Sequence, residues 1–283
     1  MAVCGAAPAL AADPCGEYVL DSRGVVDMGP TSVLTVSPGE GGQLKIVMVV
    51  ANPALCGGSY EGQGMLENNV LAVESDMGCT MAMEFSDVSV RVTLEGGVDT
   101  CNAEQCPMAG VYYRRGVIAR PVEDLAKDIR AHYAYINENL SSWDESKADV
   151  PGMSTEGGQL TAYVDLYFVK KIIVELYGEM GRLRDEYYFF DNSLVFVYSE
   201  THQYDKPFGE TQKIIENRYY FHDGIMLRWL DLEKKEVPAD SAEFKENEDR
   251  ILREAEFFRQ AVEDGKDVIE GFPDTPAPSW GRS

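Results

Sequence analysis

The cysteines of this chain are confined to its first part, and this restricts what that part can fold into. Five of them lie between residues 15 and 106, and no cysteine follows Cys106. Cysteines that cluster in one segment in this way are typical of disulfide-tied domains made in an oxidising compartment. We therefore expect two differently built parts, the first of them tied by disulfides among Cys15, Cys56, Cys79, Cys101 and Cys106.

The pairing of these cysteines does not follow from their spacing. A Cys101–Cys106 bond would close a short loop, with Cys15–Cys56 or Cys56–Cys79 as a longer tie. Because five is an odd number, one thiol stays free or the N-terminal cysteine takes part. Zinc is a weaker interpretation, since three of the five are scattered singly and no histidine lies in this part. We predict neither a metal nor a cofactor.

The N-terminus has the form of a trimmed export signal. Ala9-Leu10-Ala11 matches the small-x-small pattern of a signal-peptidase site, so residues 1–11 are predicted to be a signal-peptide remnant. An ordinary alanine-rich terminus is the alternative. Lipidation at Cys4 is less favoured because Val3 is a poor residue before a lipidated cysteine. We expect a periplasmic or secreted bacterial protein, and no later stretch approaches the ~20 apolar residues of a membrane helix.

Residues 12–115 have the pattern of an all-β domain. Short runs of alternating apolar residues are separated by clusters of glycine, proline, asparagine and aspartate, which is typical of a small barrel or sandwich. The predicted strands are 18–20, 32–36, 44–50, 64–66, 70–74, 80–85, 88–94 and 110–114. A domain of this size buries limited surface, so disulfides would add needed stability.

Three motifs in this domain resemble a small cysteine-tied β-barrel module of exported bacterial proteins. They are Cys56-Gly57-Gly58-Ser59-Tyr60, Gly78-Cys79-Thr80-Met81, and a closing segment that runs from Cys101 and Cys106 through Gly110-Val111-Tyr112-Tyr113-Arg114. The resemblance covers about a third of the chain and implies an exported disulfide-tied barrel. Some cysteine-tied barrels of this size inhibit lysozyme, but the chain contains no match to an inhibitory loop.

Residues 116–270 have a different pattern, that of an α+β domain. Apolar residues at helical spacing predict helices over 121–140 and 241–263, the second begun by an Asp240–Glu243 capping box. Residues 141–158 are polar and are predicted to be a loop. Between the loop and the second helix we predict six strands: 159–165, 168–177, 182–190, 194–200, 214–222 and 225–231. The proline-rich residues 271–283 are expected to be a flexible tail.

The six strands contain a short sequence motif that occurs twice. Tyr187-Tyr188-Phe189 is followed by Asp191-Asn192, and Tyr219-Tyr220-Phe221 is followed by Asp223-Gly224. Such turn residues between aromatic strands indicate hairpins, so we predict an antiparallel meander packed by the two helices. The pattern resembles exported bacterial proteins in which YYF-x-D-G hairpins precede a charged terminal helix. Their function is unknown, so the resemblance implies no active site.

Alternation along these strands predicts two sheet faces of different chemistry. One face is apolar and is expected to lie under both helices. The other is rich in tyrosine, arginine, lysine and glutamate, and tyrosine and arginine are favoured at interfaces. The candidate ligand-binding residues on it are Lys171, Tyr177, Tyr188, Arg218 and Tyr220. An ordinary solvated sheet face, whose aromatic pairs only stabilise the sheet, is the alternative.

Charge and missing motifs exclude several function classes. The formal net charge of −23 argues against nucleic acid and anionic lipid as partners. The chain has no nucleophile elbow, zincin, Walker or Rossmann motif, and we assign no catalytic residue. His132 is expected to be a half-buried structural residue of the first helix. His202 and His222 are expected to be solvated loop or turn residues.

These observations favour an exported, non-catalytic binding protein. It would present the tyrosine-rich face, or a cleft between the two domains, to a protein, glycan or lipid. One alternative is an acidic inhibitor of a cationic enzyme such as lysozyme, steered to its target by charge. The other is a carboxylate-dependent hydrolase, which would need a pair of carboxylates with a raised pKa in a cleft. The oligomeric state and the ligand are not determined by the sequence.

Overall fold

A computed structural model describes residues 13–20, 31–52, 56–74, 80–95, 108–118, 120–166, 168–190 and 193–270. The chain divides into two compact units, Met1–Ala119 and Arg120–Ser283. The predicted signal remnant at 1–11 and the predicted tail at 271–283 lie outside the described residues. The architecture is α+β. The first unit contains a barrel-like sheet, and the other contains a second sheet with two α-helices.

The first unit is a nine-stranded antiparallel sheet. The strands are β1 Gly16–Leu20, β2 Thr31–Pro38, β3 Leu44–Asn52, β4 Cys56–Gly64, β5 Leu66–Glu67, β6 Val70–Glu74, β7 Thr80–Phe85, β8 Ser89–Glu95 and β9 Gly110–Arg114, with a short 3-10 turn at Glu40–Gly42. Their order in the sheet is β4-β3-β2-β1-β9-β8-β7-β6-β5, so the first strand lies between the second and the last. Inward-facing side chains of alternate residues fill the interior, and they include Tyr18, Met48 and Tyr112.

Glycines in β4 bring this sheet close to closing on itself. A Cβ atom at Gly62 would lie 2.1 Å from Cγ1 of Val73 in β6, and one at Gly64 would lie 2.4 Å from the backbone oxygen of Ala72. The hydroxyl of Tyr60 donates a hydrogen bond of 3.0 Å to the backbone oxygen of Val73. Strands β4 and β6 therefore approach each other because glycine leaves room for the facing strand.

The predicted strand at 64–66 is wrong, because Gly64 ends the longer strand β4, which begins at Cys56, and Leu66 begins the two-residue strand β5. The sequence of β4, CGGSYEGQG, contains four glycines, and no strand was predicted over residues 56–63. Cys15 is half-buried against the barrel core and is disulfide-bonded. The side chains of the other five cysteines lie outside the described residues, so the pairing stays a prediction.

The second unit is a seven-stranded antiparallel meander whose strands pair in chain order. Asp223 and Gly224 have φ values of 49° and 76°, which the tight turn between its last two strands requires. The residue that caps the second helix is Ser241 and not the predicted Asp240. The Ser241 hydroxyl accepts a hydrogen bond from the backbone N–H of Phe244. The elements are α1 Val122–Asn139, a 3-10 turn Leu140–Ser142, β10 Asp144–Asp149, β11 Gly158–Asp165, β12 Phe168–Gly178, β13 Gly181–Phe190, β14 Ser193–Tyr204, β15 Thr211–His222, β16 Ile225–Leu230 and α2 Ala242–Glu263.

Strand β10 lies inside the segment that was predicted to be a loop. Its sequence, DESKAD, is polar and only Ala148 among its six residues is buried. It pairs with β11 at one end of the sheet order, and charged residues are common on such edge strands because they discourage further pairing. The strand was missed because an edge strand needs no apolar face.

The two helices cover opposite faces of this sheet, which corrects the prediction that both cover one face. Helix α2 packs on the apolar face, where Phe258 contacts Tyr187 with ring centroids 5.8 Å apart. Helix α1 packs on the tyrosine-rich face. Its buried residues form one cluster with the sheet: Leu125, Ala126, Ile129, Ile136, Tyr188, Phe196, Tyr220 and Leu227. Each sheet face therefore has its own core.

Candidate functional site

The tyrosine-rich face is only partly covered by α1, and the rest of it is polar. We call the uncovered part the open face. It consists of cross-strand rows on β12 to β15, which the register of the sheet places side by side. The rows are Tyr177, Arg182, His202 and Ile214; Glu175, Arg184, Glu200 and Glu216; and Tyr198 with Arg218.

The five residues predicted to bind a ligand share this sheet face, but only two of them reach the open face. Tyr188, Tyr220 and Lys171 are buried, and the first two belong to the core under α1. Arg218 is half-buried, and Tyr177 is 39% exposed. The expectation that Tyr188 and Tyr220 are presented to solvent is therefore wrong. Alternation identifies which residues share a face but not which of them a helix covers.

Lys171 and Glu186 form an ion pair beneath α1. The Lys171 ammonium lies 2.8 Å from Glu186 Oε2 and donates to Oδ1 of Asn137, on α1, over 2.8 Å. The Tyr188 hydroxyl donates to the same glutamate oxygen over 2.5 Å. Burial lowers the pKa of Lys171. Although burial alone would raise the pKa of Glu186, its hydrogen bond from Lys171 contributes to holding that pKa below its usual value. The cluster joins α1 to the sheet.

On the open face, charges of opposite sign are paired with each other. Arg184 contacts Glu186 at 2.7 Å and Glu175 at 3.2 Å. Arg218 contacts Glu216 at 2.8 Å and lies 5.3 Å from the ring centroid of Tyr198. These contacts hold the arginine side chains along the sheet and largely cancel the local charge.

His202 lies at the end of this network, and its surroundings differ from those expected. It belongs to β14 and is buried, so the prediction of a solvated loop residue is wrong. Its Nε2 contacts Glu200 and lies 3.4 Å from Arg182, and its Nδ1 lies 3.2 Å from the hydroxyl of Thr211. These contacts orient the imidazole and place the exposed Thr211 beside the open face.

The other two histidines lie outside the open face. His132 on α1 is half-buried against Phe190, with ring centroids 4.3 Å apart, and burial lowers its pKa. His222 lies at the end of β15, 3.6 Å from Asp223 Oδ2. The structure thus places each histidine in a different environment.

An exposed phenylalanine next to the open face was missed by the sequence reasoning. Phe208 lies in the loop between β14 and β15, is 69% exposed and has a φ of 56°. Its backbone N–H donates to the oxygen of Glu179, in the turn between β12 and β13, over 2.7 Å. The signal was an aromatic residue between Pro207 and Gly209 in a turn segment, where no core packing requires it.

A carboxylate pair exists in the second unit, but helix α2 covers it. Burial, and then the charge of Glu254, raise the pKa of Asp185 to about 6. Glu254 accepts a hydrogen bond of 3.1 Å from Tyr187 and pairs with Arg250 at 2.7 Å. Among the described residues, Oδ1 of Asp185 has no hydrogen-bond partner. Both carboxyl groups are buried between the sheet and α2, so the pair does not form the solvent-facing cleft that a hydrolase would need.

Two further observations concern metals and membranes. Within the described residues, no group of three or more histidine, cysteine, aspartate and glutamate side chains is arranged to hold a metal ion. Across the same part of the chain, neither helix combines the length and apolar character required to span a bilayer.

Comparisons with known proteins identify no relative of this chain. No protein-family model, no curated protein and no solved structure matches it.

Proposed function

We propose that this chain is an exported, non-catalytic binding protein that binds its ligand through the open face of its second unit. The observation that carries the proposal is the ordered row of polar side chains that α1 leaves uncovered, with exposed Arg182 and partly exposed Tyr177. Arginine and tyrosine combine hydrogen bonding with a flat apolar surface, and both are enriched where proteins bind partners.

Preorganisation supports this proposal. Arg184 and Arg218 are held by ion pairs, and His202 is held by Glu200 and Thr211. Side chains that are already ordered lose little rotamer entropy when a ligand binds. A sheet also positions them more rigidly than a loop would.

Export is part of the proposal and is supported by the N-terminal sequence and the cysteines. Ala9-Leu10-Ala11 has the form of a cleavage site, and Cys15 is disulfide-bonded. The motifs in the first unit resemble those of exported bacterial barrels. We propose that this barrel is the disulfide-tied part of the same exported protein.

Native mass spectrometry of the full chain, purified from its own exported fraction, tests the binding function. The wild type should carry an additional bound species. Arg182→Glu should lose that species, whereas Arg253→Glu, at an exposed position on α2, should retain it. No bound species, or one retained equally by all three proteins, would contradict the proposal.

A further inference from the structure

The loop that carries Phe208 is held rigidly at the end of the sheet. The backbone N–H of Asp205 donates to the oxygen of Glu210 over 3.1 Å, and the N–H of Glu210 donates back to Oδ1 of Asp205 over 3.0 Å. A Cβ atom at position 209 would lie 2.1 Å from the same Oδ1, so the close turn requires Gly209. The loop therefore has a defined conformation.

Phe208 is strained and exposed in this rigid loop. A positive φ is unfavourable for a bulky side chain, and its persistence is a recognised feature of functional sites. The residue as a whole is 69% exposed, so burial of its side chain does not offset the strain. A ligand that packs on the ring would bury this exposed apolar surface.

The position of Phe208 links it to the open face. Its N–H contacts Glu179, which follows Tyr177 by two residues and precedes Arg182 by three. Tyr177 and Arg182 are cross-strand partners in the row that also contains His202. Phe208 and this row therefore adjoin at the same end of the sheet.

The charges and exposed groups of this region limit the chemical class of ligand that can bind there. The rows of the open face contain three arginines and three glutamates, and Arg184 and Arg218 are paired with glutamates. Because these charges nearly balance, neither a polyanion nor a polycation gains much by binding there. A lipid would bury those charges in apolar surroundings at a high cost. A stable protein partner needs about 800 Å² of surface with an apolar centre, whereas the exposed apolar groups Tyr177, Phe208 and Ile214 are single residues between polar ones.

A neutral sugar has the complementary properties. The C–H groups of a sugar ring pack well on the face of an aromatic ring, which carries partial negative charge. Sugar hydroxyls both donate and accept hydrogen bonds, so they can meet arginine N–H groups and glutamate oxygens at once. The alternating groups Arg182, Glu200 and Thr211 offer both kinds of partner.

We propose that Phe208 and the adjoining row of Tyr177 and Arg182 form a binding site for a neutral oligosaccharide. The proposal names the ligand class of the open face and so rests on the proposed function. Phe208 packs on one sugar ring, and Arg182 hydrogen-bonds hydroxyls of the same chain.

Isothermal titration calorimetry on the full chain tests this. The probes are cellohexaose, maltohexaose and hexa-N-acetylchitohexaose as neutral oligosaccharides, with a heparin dodecasaccharide and polylysine as charged ones. At least one neutral probe should bind, and Phe208→Ala should raise its Kd at least about tenfold. Phe208→Trp should retain binding. Leu166→Ala is the matched control, because Leu166 is also an exposed apolar turn residue with a φ of 56° and should leave the Kd unchanged.

Three results would overturn the ligand class: no neutral probe binds, only a charged probe binds, or Phe208→Ala binds like the wild type. If native mass spectrometry still finds a species that depends on Arg182, the ligand class is wrong and the binding function stands. If that species is also absent, both proposals fail.

Discussion

The ammonium group of Lys171 lies 2.8 Å from a carboxylate oxygen of Glu186, and both side chains are largely withdrawn from solvent beneath helix α1. The same ammonium contacts Asn137 of that helix. A buried ion pair gains little net stability over an apolar core, but removing one partner leaves the other charge uncompensated. Lys171 therefore neutralises Glu186 on the sheet and, through Asn137, also helps to hold α1 in place.

We expect Lys171→Met to lower the free energy of unfolding of the second unit by about 2 kcal/mol, because Glu186 loses the more deeply buried of its two cationic partners and keeps only Arg184. Urea unfolding followed by tryptophan fluorescence measures this, since all three tryptophans follow residue 119. Lys147→Met is the matched control, because Lys147 pairs with Glu145 at an exposed position. It should change stability by less than about 1 kcal/mol. Equal effects of the two substitutions would contradict the assigned role of Lys171.

Asp185 should make the second unit less stable as the pH rises from about 4 to about 6. Its pKa in the folded protein is raised from 3.8 to about 6, so the folded state binds a proton that the unfolded state has already lost. At 1.36 kcal/mol for each pKa unit, the deficit above pH 6 is about 3 kcal/mol. Asp185→Asn should reduce this pH dependence and stabilise the protein at pH 7.5.

Urea unfolding at pH 4.5, 5.5, 6.5 and 7.5 measures the pH effect. Asp144→Asn, on the exposed strand β10, should leave the profile of the wild type unchanged. If Asp185→Asn and the wild type show parallel profiles over this range, the assignment of the titration to Asp185 is incorrect.

Gly64→Ala should destabilise the barrel-like unit by about 1–3 kcal/mol, because the new methyl group would meet the backbone of β6. Gly58→Ala, in the same strand, is the control, since no atom of the described residues lies within 4 Å of a Cβ atom there. Hydrogen exchange measured by mass spectrometry should show faster exchange in β4 and β6 for the first substitution only. Similar exchange in both variants would mean that close contact at Gly64 does not hold these strands together.

The disulfide prediction can be tested on the intact mature protein. We expect a mass that begins at Ala12 and is lower than that of the reduced chain by the four hydrogens of two disulfides. This follows from cleavage after Ala11 and from pairing of four cysteines. Peptide mapping without reduction should identify the partner of Cys15. A protein that retains Met1 and has only free thiols would contradict the prediction of export.

Regular alternation and helical spacing predicted most of the elements of the second unit. The strands from β11 to β16 and both helices were predicted within a few residues of their observed bounds, except at the C-terminal end of β14. Strands β4 and β10 were not recognised, because one is rich in glycine and the other is almost entirely polar. In both cases the strand is stabilised by backbone pairing with its neighbouring strand rather than by a regular apolar face, and propensity is a weak guide there.

The candidate site was predicted less well. Lys171, Tyr188 and Tyr220 were correctly grouped on one face, but the structure buries them under α1. His202 was expected in solvent, yet cross-strand neighbours bury it. Phe208 was missed because its exposure depends on the turn that holds its backbone.

The sequence by itself determined which residues alternate onto each sheet face, where the helices lie and how the cysteines are distributed, because these properties depend on neighbours along the chain. Only the tertiary structure decided which face each helix covers, and therefore which tyrosines are core and which border the open face. Both helices are amphipathic, and the tyrosine-rich face is itself partly apolar. The apolar side of either helix could therefore pack on either face of the sheet, as far as the local sequence pattern is concerned. The choice depends on contacts between distant residues, such as that of Lys171 with Asn137.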